Sequence, residues 1–214
     1  MTLKIRGNAR PSLVFALCSV ALAACGGGGS APAVTPVAPV VATTQSVAVM
    51  VIDGAIKGAT VCLDKNGNGA CDVGEPQGSS DASGKVTLTV EKADAGKFPV
   101  LAVVGAGAID ADTGAVATPY VMKAPSDQVG VVSPLMTLVQ AQIDASGAST
   151  ADAAAFVQAQ AGLSATASLF ADYTADKSAP DAGLAAALAR LIVVTTQQRW
   201  RWRARWASPT SAAR

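Results

Sequence analysis

The sequence predicts an α+β chain: a small antiparallel, β-sandwich-like module first, then short Ala-rich helices. Three observations carry this. Between residues 46 and 123 the β-branched and apolar residues come in short runs, and Val86, Leu88 and Val90 alternate with Thr87 and Thr89, the period of a half-buried strand. Near residue 133 the period changes, with Leu135, Leu138, Val139 and Ile143 recurring at helical spacing. Aromatic volume is scarce: four Phe, two Tyr and three Trp, the Trp all at 200, 202 and 206, so the core must be built from Val, Leu, Ile and Ala.

The 214 residues begin with a segment that reads as a signal rather than as structure. Lys4, Arg6 and Arg10 form a positive start, and residues 11–24, PSLVFALCSVALAA, are apolar but shorter than the roughly twenty residues a membrane-spanning helix needs. The segment ends Leu22-Ala23-Ala24-Cys25. This resembles the bacterial lipobox, in which an aliphatic residue and two small ones precede the cysteine that is lipidated. The resemblance implies cleavage before Cys25, several acyl chains such as palmitate on it, and a place at the cell envelope; Gly26, where an Asp would favour the inner membrane, points to an outer membrane lipoprotein. Several chains anchor firmly where one binds marginally, at about 0.8 kcal/mol per buried CH₂. The alternative is a plain secretory signal with a coincidental cysteine. Residues 26–45, GGGGSAPAVTPVAPVVATTQ, complete a flexible, partly polyproline-like linker that starts at Cys25.

Charge narrows the partners. The whole chain is +1, but residues 1–24 contain three basic residues and no acid, leaving 13 basic against 15 acidic, or −2. Five of those arginines lie beyond residue 198, so the body, 25–198, holds 8 basic and 15 acidic residues, a net of −7. An acidic body disfavours nucleic acid and suits cations. Histidine is absent, which excludes the Ser-His and Cys-His nucleophile pairs and the commonest transition-metal ligand.

Strands are predicted at 46–53, 59–63, 85–90 and 99–105, with Tyr120-Val121-Met122 as a further short one. Between the second and third lies the sharpest chemical signal, DKNGNGACDVGE, Asp64 to Glu75. The EF-hand loop pattern asks for Asp at position 1, Asp or Asn at 3 and 5, Gly at 6 and Glu at 12; here they are Asp64, Asn66, Asn68, Gly69 and Glu75. Position 7, which offers a backbone carbonyl, is Ala70, and position 9 is Asp72. Alternate residues of a tight loop aim their oxygens at one centre, and all these donors are hard oxygens, so the expected ion is calcium. Three carboxylates and two amides suit an affinity on the order of 10⁻⁵ to 10⁻³ M. The alternative is an Asn/Gly/Asp turn that needs no metal. Helices do not flank the loop, so it is EF-like in ligands but lies between strands.

Of four cysteines, Cys18 falls in the signal and Cys25 is the lipid site, leaving Cys62 and Cys71. In an oxidising compartment they read as a disulfide; a cysteine metal site is the alternative, with no His and no third Cys nearby. The segment VMVIDGAIKGATVCLDKNGNGACDVGEP and the following SSDASGKVTL resemble calcium-loop β-sandwich modules of bacterial surface proteins, of Cna-B, SdrD-B and carboxypeptidase regulatory-like style, over about residues 46–105. In those modules a turn such as Asp81-x-x-Gly84-Lys85 opens a strand, and the resemblance offers Asp81 as a further oxygen for the cation.

Beyond the β-module, assigned to 46–123, a helical region is expected over 133–198. Ser133-Pro134 is an N-cap and first-turn pair, with a stop at Gly147; Ser149 or Thr150 caps a second helix ending at Gly162. A third is expected from about Ala165 to Tyr173, and a fourth from Ser178, Pro180 and Asp181 through Val194. VVSPLMTLVQAQ resembles a segment, VSPLTTLV, that accompanies the calcium-loop module in large proteobacterial lipoproteins, with Met136 in place of Thr. Residues 199–214, RWRWRARWASPTSAAR, break the pattern, and a truncated or frame-shifted end to a longer helical region is expected. An Arg/Trp segment binding lipid or single-stranded nucleic acid, and a solvated tail, are the alternatives.

No nucleophile elbow, HExxH or phosphate loop occurs, and Gly105-Ala106-Gly107 lacks the third glycine of a dinucleotide fingerprint. The expectation is therefore not an enzyme. It is a lipid-anchored envelope or surface protein, structural or ligand-binding, with a glycan or an envelope protein as partner. Alternatives are an accessory subunit docking on another envelope protein, and a hydrolase using the loop carboxylates, which calcium would make poor proton carriers.

Overall fold

Ten short strands precede three helices in the computed structural model, which describes residues 43–207. The signal, Cys25, the linker up to residue 42 and residues 208–214 lie outside the described residues. Two sheets face each other. One has the order β10-β1-β5, from β1 (Thr44–Val51), β5 (Lys85–Glu91) and β10 (Val131–Val132). The other has the order β4-β3-β6-β9, from β3 (Thr60–Leu63), β4 (Gln77–Ser79), β6 (Val100–Val104) and β9 (Tyr120–Ala124). A third, minor sheet joins β2 (Ile56–Lys57), β7 (Ile109–Asp110) and β8 (Gly114–Ala115).

The α+β class and the antiparallel framework match the sequence reading. The exception is β10, which runs parallel to β1 through Met50–Val131 and Val51–Val132. Strict alternation explains the facing of the sheets: Val86, Leu88 and Val90 of β5 are buried while their neighbours are exposed. They meet Val61 and Leu63 of β3, Val100, Ala102 and Val104 of β6, and Met122 of β9 in one apolar cluster. Pairing of Cys62 with Leu101, and of Leu101 with Lys123, places these three residues in one row on the opposite face of that sheet.

β10 delivers the chain to α1 (Pro134–Ser146), whose N-cap Ser133 accepts from the Met136 amide and whose C-cap is Gly147 at φ +67°. α2 (Thr150–Ala161) starts at Ser149 and ends at Gly162. α1 joins the halves: Met136 packs into the β cluster, while Leu135 and Val139 belong to a second cluster with Ala153, Val157, Leu169, Ala189 and Ile192.

Two helix expectations are corrected. Residues 165–173 form turns, not a helix. Their short polar side chains bond locally instead: Ser168 Oγ accepts from the Phe170 amide, and Asp172 Oδ1 from the amide and hydroxyl of Thr174. Leu169, buried in the second cluster, pins this segment. The last helix, α3 (Ala182–Ala207), does not stop at residue 198 but runs on through the Arg/Trp segment. No Gly or Pro interrupts it between Leu184 and Ala207. Thr195 and Thr196 stay in the helix by donating their hydroxyls to the Leu191 and Val193 carbonyls. Gln197 and Arg201 then tie α3 to the β-module through the carbonyl and hydroxyl of Thr118.

One turn depends on glycine. Gly84 opens β5 at φ +76°, and a Cβ there would lie 2.5 Å from the Val51 carbonyl oxygen. Gly84→Ala should lower stability in urea unfolding by about 2 kcal/mol or more. Gly107→Ala, at φ +87° with nothing within 4 Å, should lower it less.

Candidate calcium site

The loop from Asp64 to Glu75 closes the hairpin between β3 and β4. Pairing continues into both its ends: the Leu63 amide donates to the Pro76 carbonyl and the Asp64 amide to the Pro99 carbonyl. This ladder holds Asp64 at the end of a central strand, and its side chain has no solvent exposure. A disulfide between Cys62 and Cys71 staples the loop's middle back to the strand. In the chain-entropy picture so short a closed loop contributes about 2.5 kcal/mol.

Within the loop, polar atoms converge. Asn66 Oδ1 accepts from the Asn68 amide and Asn68 Oδ1 from the Ala70 amide, so each turn aims the next. The Nδ2 groups of Asn66 and Asn68 both donate to Asp72 Oδ2, each at 2.7 Å. Asp64 Oδ2 accepts from the Gly69 amide at 3.2 Å, while Asp64 Oδ1 is buried with no hydrogen-bond partner. Glu75 folds back over the loop, accepting from the Lys65 amide on Oε1 and the Asp72 amide on Oε2. The Lys65 ammonium is engaged by Asp94 at 2.7 Å and lies over the Phe98 ring.

The structure thus joins Asn66, Asn68 and Asp72 by direct hydrogen bonds, ties Asp64 to the same loop through the Gly69 amide, keeps Ala70 in that loop and bonds Glu75 to its backbone. Among the described residues no three His, Cys, Asp or Glu side chains gather closely enough to hold a metal by themselves. Here amides stand among the carboxylates, and Glu75 faces backbone N–H groups. The donor chemistry nonetheless fits a hard cation: every side-chain donor is oxygen, and a buried carboxylate oxygen is left unpaired, which is costly unless something charged meets it. A cation would have to draw the two amides and Glu75 from their present partners, which favours weak binding.

Asp81, offered as a further ligand, does not join this group. Its Oδ1 accepts from the Ser83 amide and hydroxyl and from the Lys85 amide, which together hold its carboxyl below the usual carboxylate range. It follows the far end of β4, about 10 Å of strand away from the loop.

Two neighbours of functional interest carry no sequence signal. Lys123, on β9, reaches within 3.5 Å of Asp64 Oδ2. Apart from the loop, Asp53, in the turn after β1, accepts a 2.8 Å hydrogen bond from Tyr173 across 120 residues. It borders a groove of about 380 Å³ with Asp112, Thr113, Lys177 and Arg190. Burial, and secondarily the nearby Asp110, push its carboxyl up to about 6 against the lowering effect of the Tyr173 bond. Burial and Asp53 raise the Tyr173 hydroxyl far above its ordinary range.

Comparison with known family models, characterised proteins and solved structures finds no match to this chain.

The Asp53 shift gives a pH dependence whose sign is fixed. Its native value of about 6 lies above the ordinary 3.8, so the fold favours the neutral acid. That contribution is present in full below 3.8 and is lost as pH rises through about 6. For a partly exposed group it amounts to on the order of 1 kcal/mol. Thermal melts should show stability falling across this window, and Asp53→Asn should flatten that part of the profile.

Proposed function

We propose that this chain is a calcium-stabilised module held at the cell envelope by lipid on Cys25, with a structural or ligand-binding role rather than a catalytic one. The unpaired, buried Asp64 Oδ1 is the observation that carries the calcium reading. Calcium would be held by Asp64, Asn66, Asn68, the Ala70 carbonyl, Asp72 and Glu75, and would supply rigidity to the β3–β4 hairpin. Affinity at the weak, extracellular end suits a compartment where calcium is plentiful.

The anchor reading rests on the Leu22-Ala23-Ala24-Cys25 sequence. Among the described residues no helix is long and apolar enough to cross a membrane; the attachment proposed is lipid on Cys25. A docking role on another envelope protein is supported by α3, where Leu184, Leu191 and Trp202 recur on one exposed stripe.

The full chain, extracted in detergent and freed of divalent ions, should gain melting temperature on millimolar calcium, as judged against extracellular-type sites of about 10⁻⁴ to 10⁻³ M. Asp64→Ala should lose that gain. A flat titration, or an unchanged gain in Asp64→Ala, sinks the calcium reading. For the anchor, cells fed labelled palmitate should label the wild-type chain and not Cys25→Ser. An unmodified N-terminus on a freely soluble product would overturn it.

A further inference from the structure

Lys123 stands where a second cation would compete. Strand register puts it on the same face as Cys62, two strands away, and therefore about 10 Å from the strand that leads into the loop. Its backbone is held by α1: the Lys123 amide donates to Thr137 Oγ1 at 3.0 Å, and that hydroxyl also faces the Lys123 carbonyl. From there the ammonium reaches 3.5 Å from Asp64 Oδ2, with the lysine side chain only 25% exposed and the aspartate 0%. Among the described residues it is the one ion pair made to a carboxylate of the loop. Asp144 of α1 and Arg199 of α3 border with Lys123 a groove of about 320 Å³ beside Asn68 and Gly69, and Asp72 and Glu75 are the other carboxylates of the loop.

The two oxygens of Asp64 are therefore treated differently. Oδ2 has the Gly69 amide and the ammonium; Oδ1 has nothing. A lone buried carboxylate would be strongly unfavourable, and the lysine offsets this with one charge at a loose distance. A calcium ion on Oδ1 would bring two charges at close range and would be repelled by the ammonium beside it.

We propose that Lys123 is a built-in counter-ion of Asp64 that competes with calcium, keeping the loop folded without the ion and holding its calcium affinity down. This rests on the calcium reading above. It makes two effects of one residue opposite in sign. Removing the charge lowers stability without calcium, because Asp64 then lacks its partner. The same change tightens calcium binding, because the repulsion is gone. A lysine that served only as structure would produce the first effect and not the second.

The test is calorimetric titration of the full, detergent-extracted chain with calcium, paired with melts in chelator. Lys123→Met keeps the apolar stem, and Lys123→Arg keeps the charge. Lys123→Met should bind calcium at least about tenfold more tightly than wild type while melting lower in chelator. Lys123→Arg should stay close to wild type in both. Should Lys123→Met fold only with calcium present, that supports the proposal in its strongest form. If it fails to fold in either condition, Lys123→Gln is read by the same two criteria. Equal or weaker calcium binding in the neutral variant overturns the role of Lys123 and leaves the calcium site standing. Failure of wild type and variant alike to bind at about 10 mM calcium, above the range of extracellular sites, overturns both.

Discussion

A carboxylate with no solvent exposure sits at the end of a central strand, and the arrangement around it follows from that burial. Asp64 lies where β3 leaves the sheet, so its backbone is committed to the ladder and its side chain cannot retreat into water. The molecule answers in three ways. A glycine amide five residues on reaches back to Oδ2, a lysine from β9 supplies charge, and a disulfide keeps the loop wrapped over the site. Two of these answers come from the loop itself and the third from β9. The loop is therefore bound into the sheet, in contrast to a freely solvated Asn/Gly turn.

The helical half depends on the same sheet. Short Ala-rich helices bury little area each, and alone they would be marginal. α1 resolves this by facing both ways, Met136 into the β cluster and Leu135 and Val139 into the helical one. Its Thr137 hydroxyl bonds the backbone of Lys123 itself. The lysine that faces Asp64 is thus positioned by a helix whose own stability comes from the sheet, and a change at either would be felt at the other.

Much of this was legible in the sequence, and the reasons differ by element. β5 announced itself because one face is buried and one is wet, which imprints a period of two on Val86 to Val90. α1 and α2 were marked by Ser caps and Gly stops, which are local chemistry. The polar cluster of the loop was readable because the spacing of Asn66, Asn68 and Asp72 is set by successive tight turns. The failures also have local causes. Residues 165–173 carry Ala and Leu in helix-like proportion, but Ser168 and Asp172 satisfy backbone groups without a helix. The end of α3 was misplaced because Thr195 and Thr196 look like a break, whereas their hydroxyls bond back to the preceding turn. Lys123 was invisible as a site residue, since nothing in β9 records what stands two strands away.

Asp53 and Asp64 show two outcomes of burying an acid in one small fold. Asp53 meets a tyrosine hydroxyl and two further acids, with a single arginine contributing from nearby, and its carboxyl is driven up to about 6. Asp64 has a glycine amide and an ammonium on one oxygen and nothing on the other. The first environment favours taking up a proton, because neutralisation removes both the burial penalty and the repulsion from Asp110. The second pairs the carboxylate with one ammonium at a loose distance and leaves the other oxygen bare. A divalent ion on the bare oxygen would have to share the carboxylate with that ammonium, which would repel it. The difference lies in the neighbours, although both acids sit at the ends of strands in the same module.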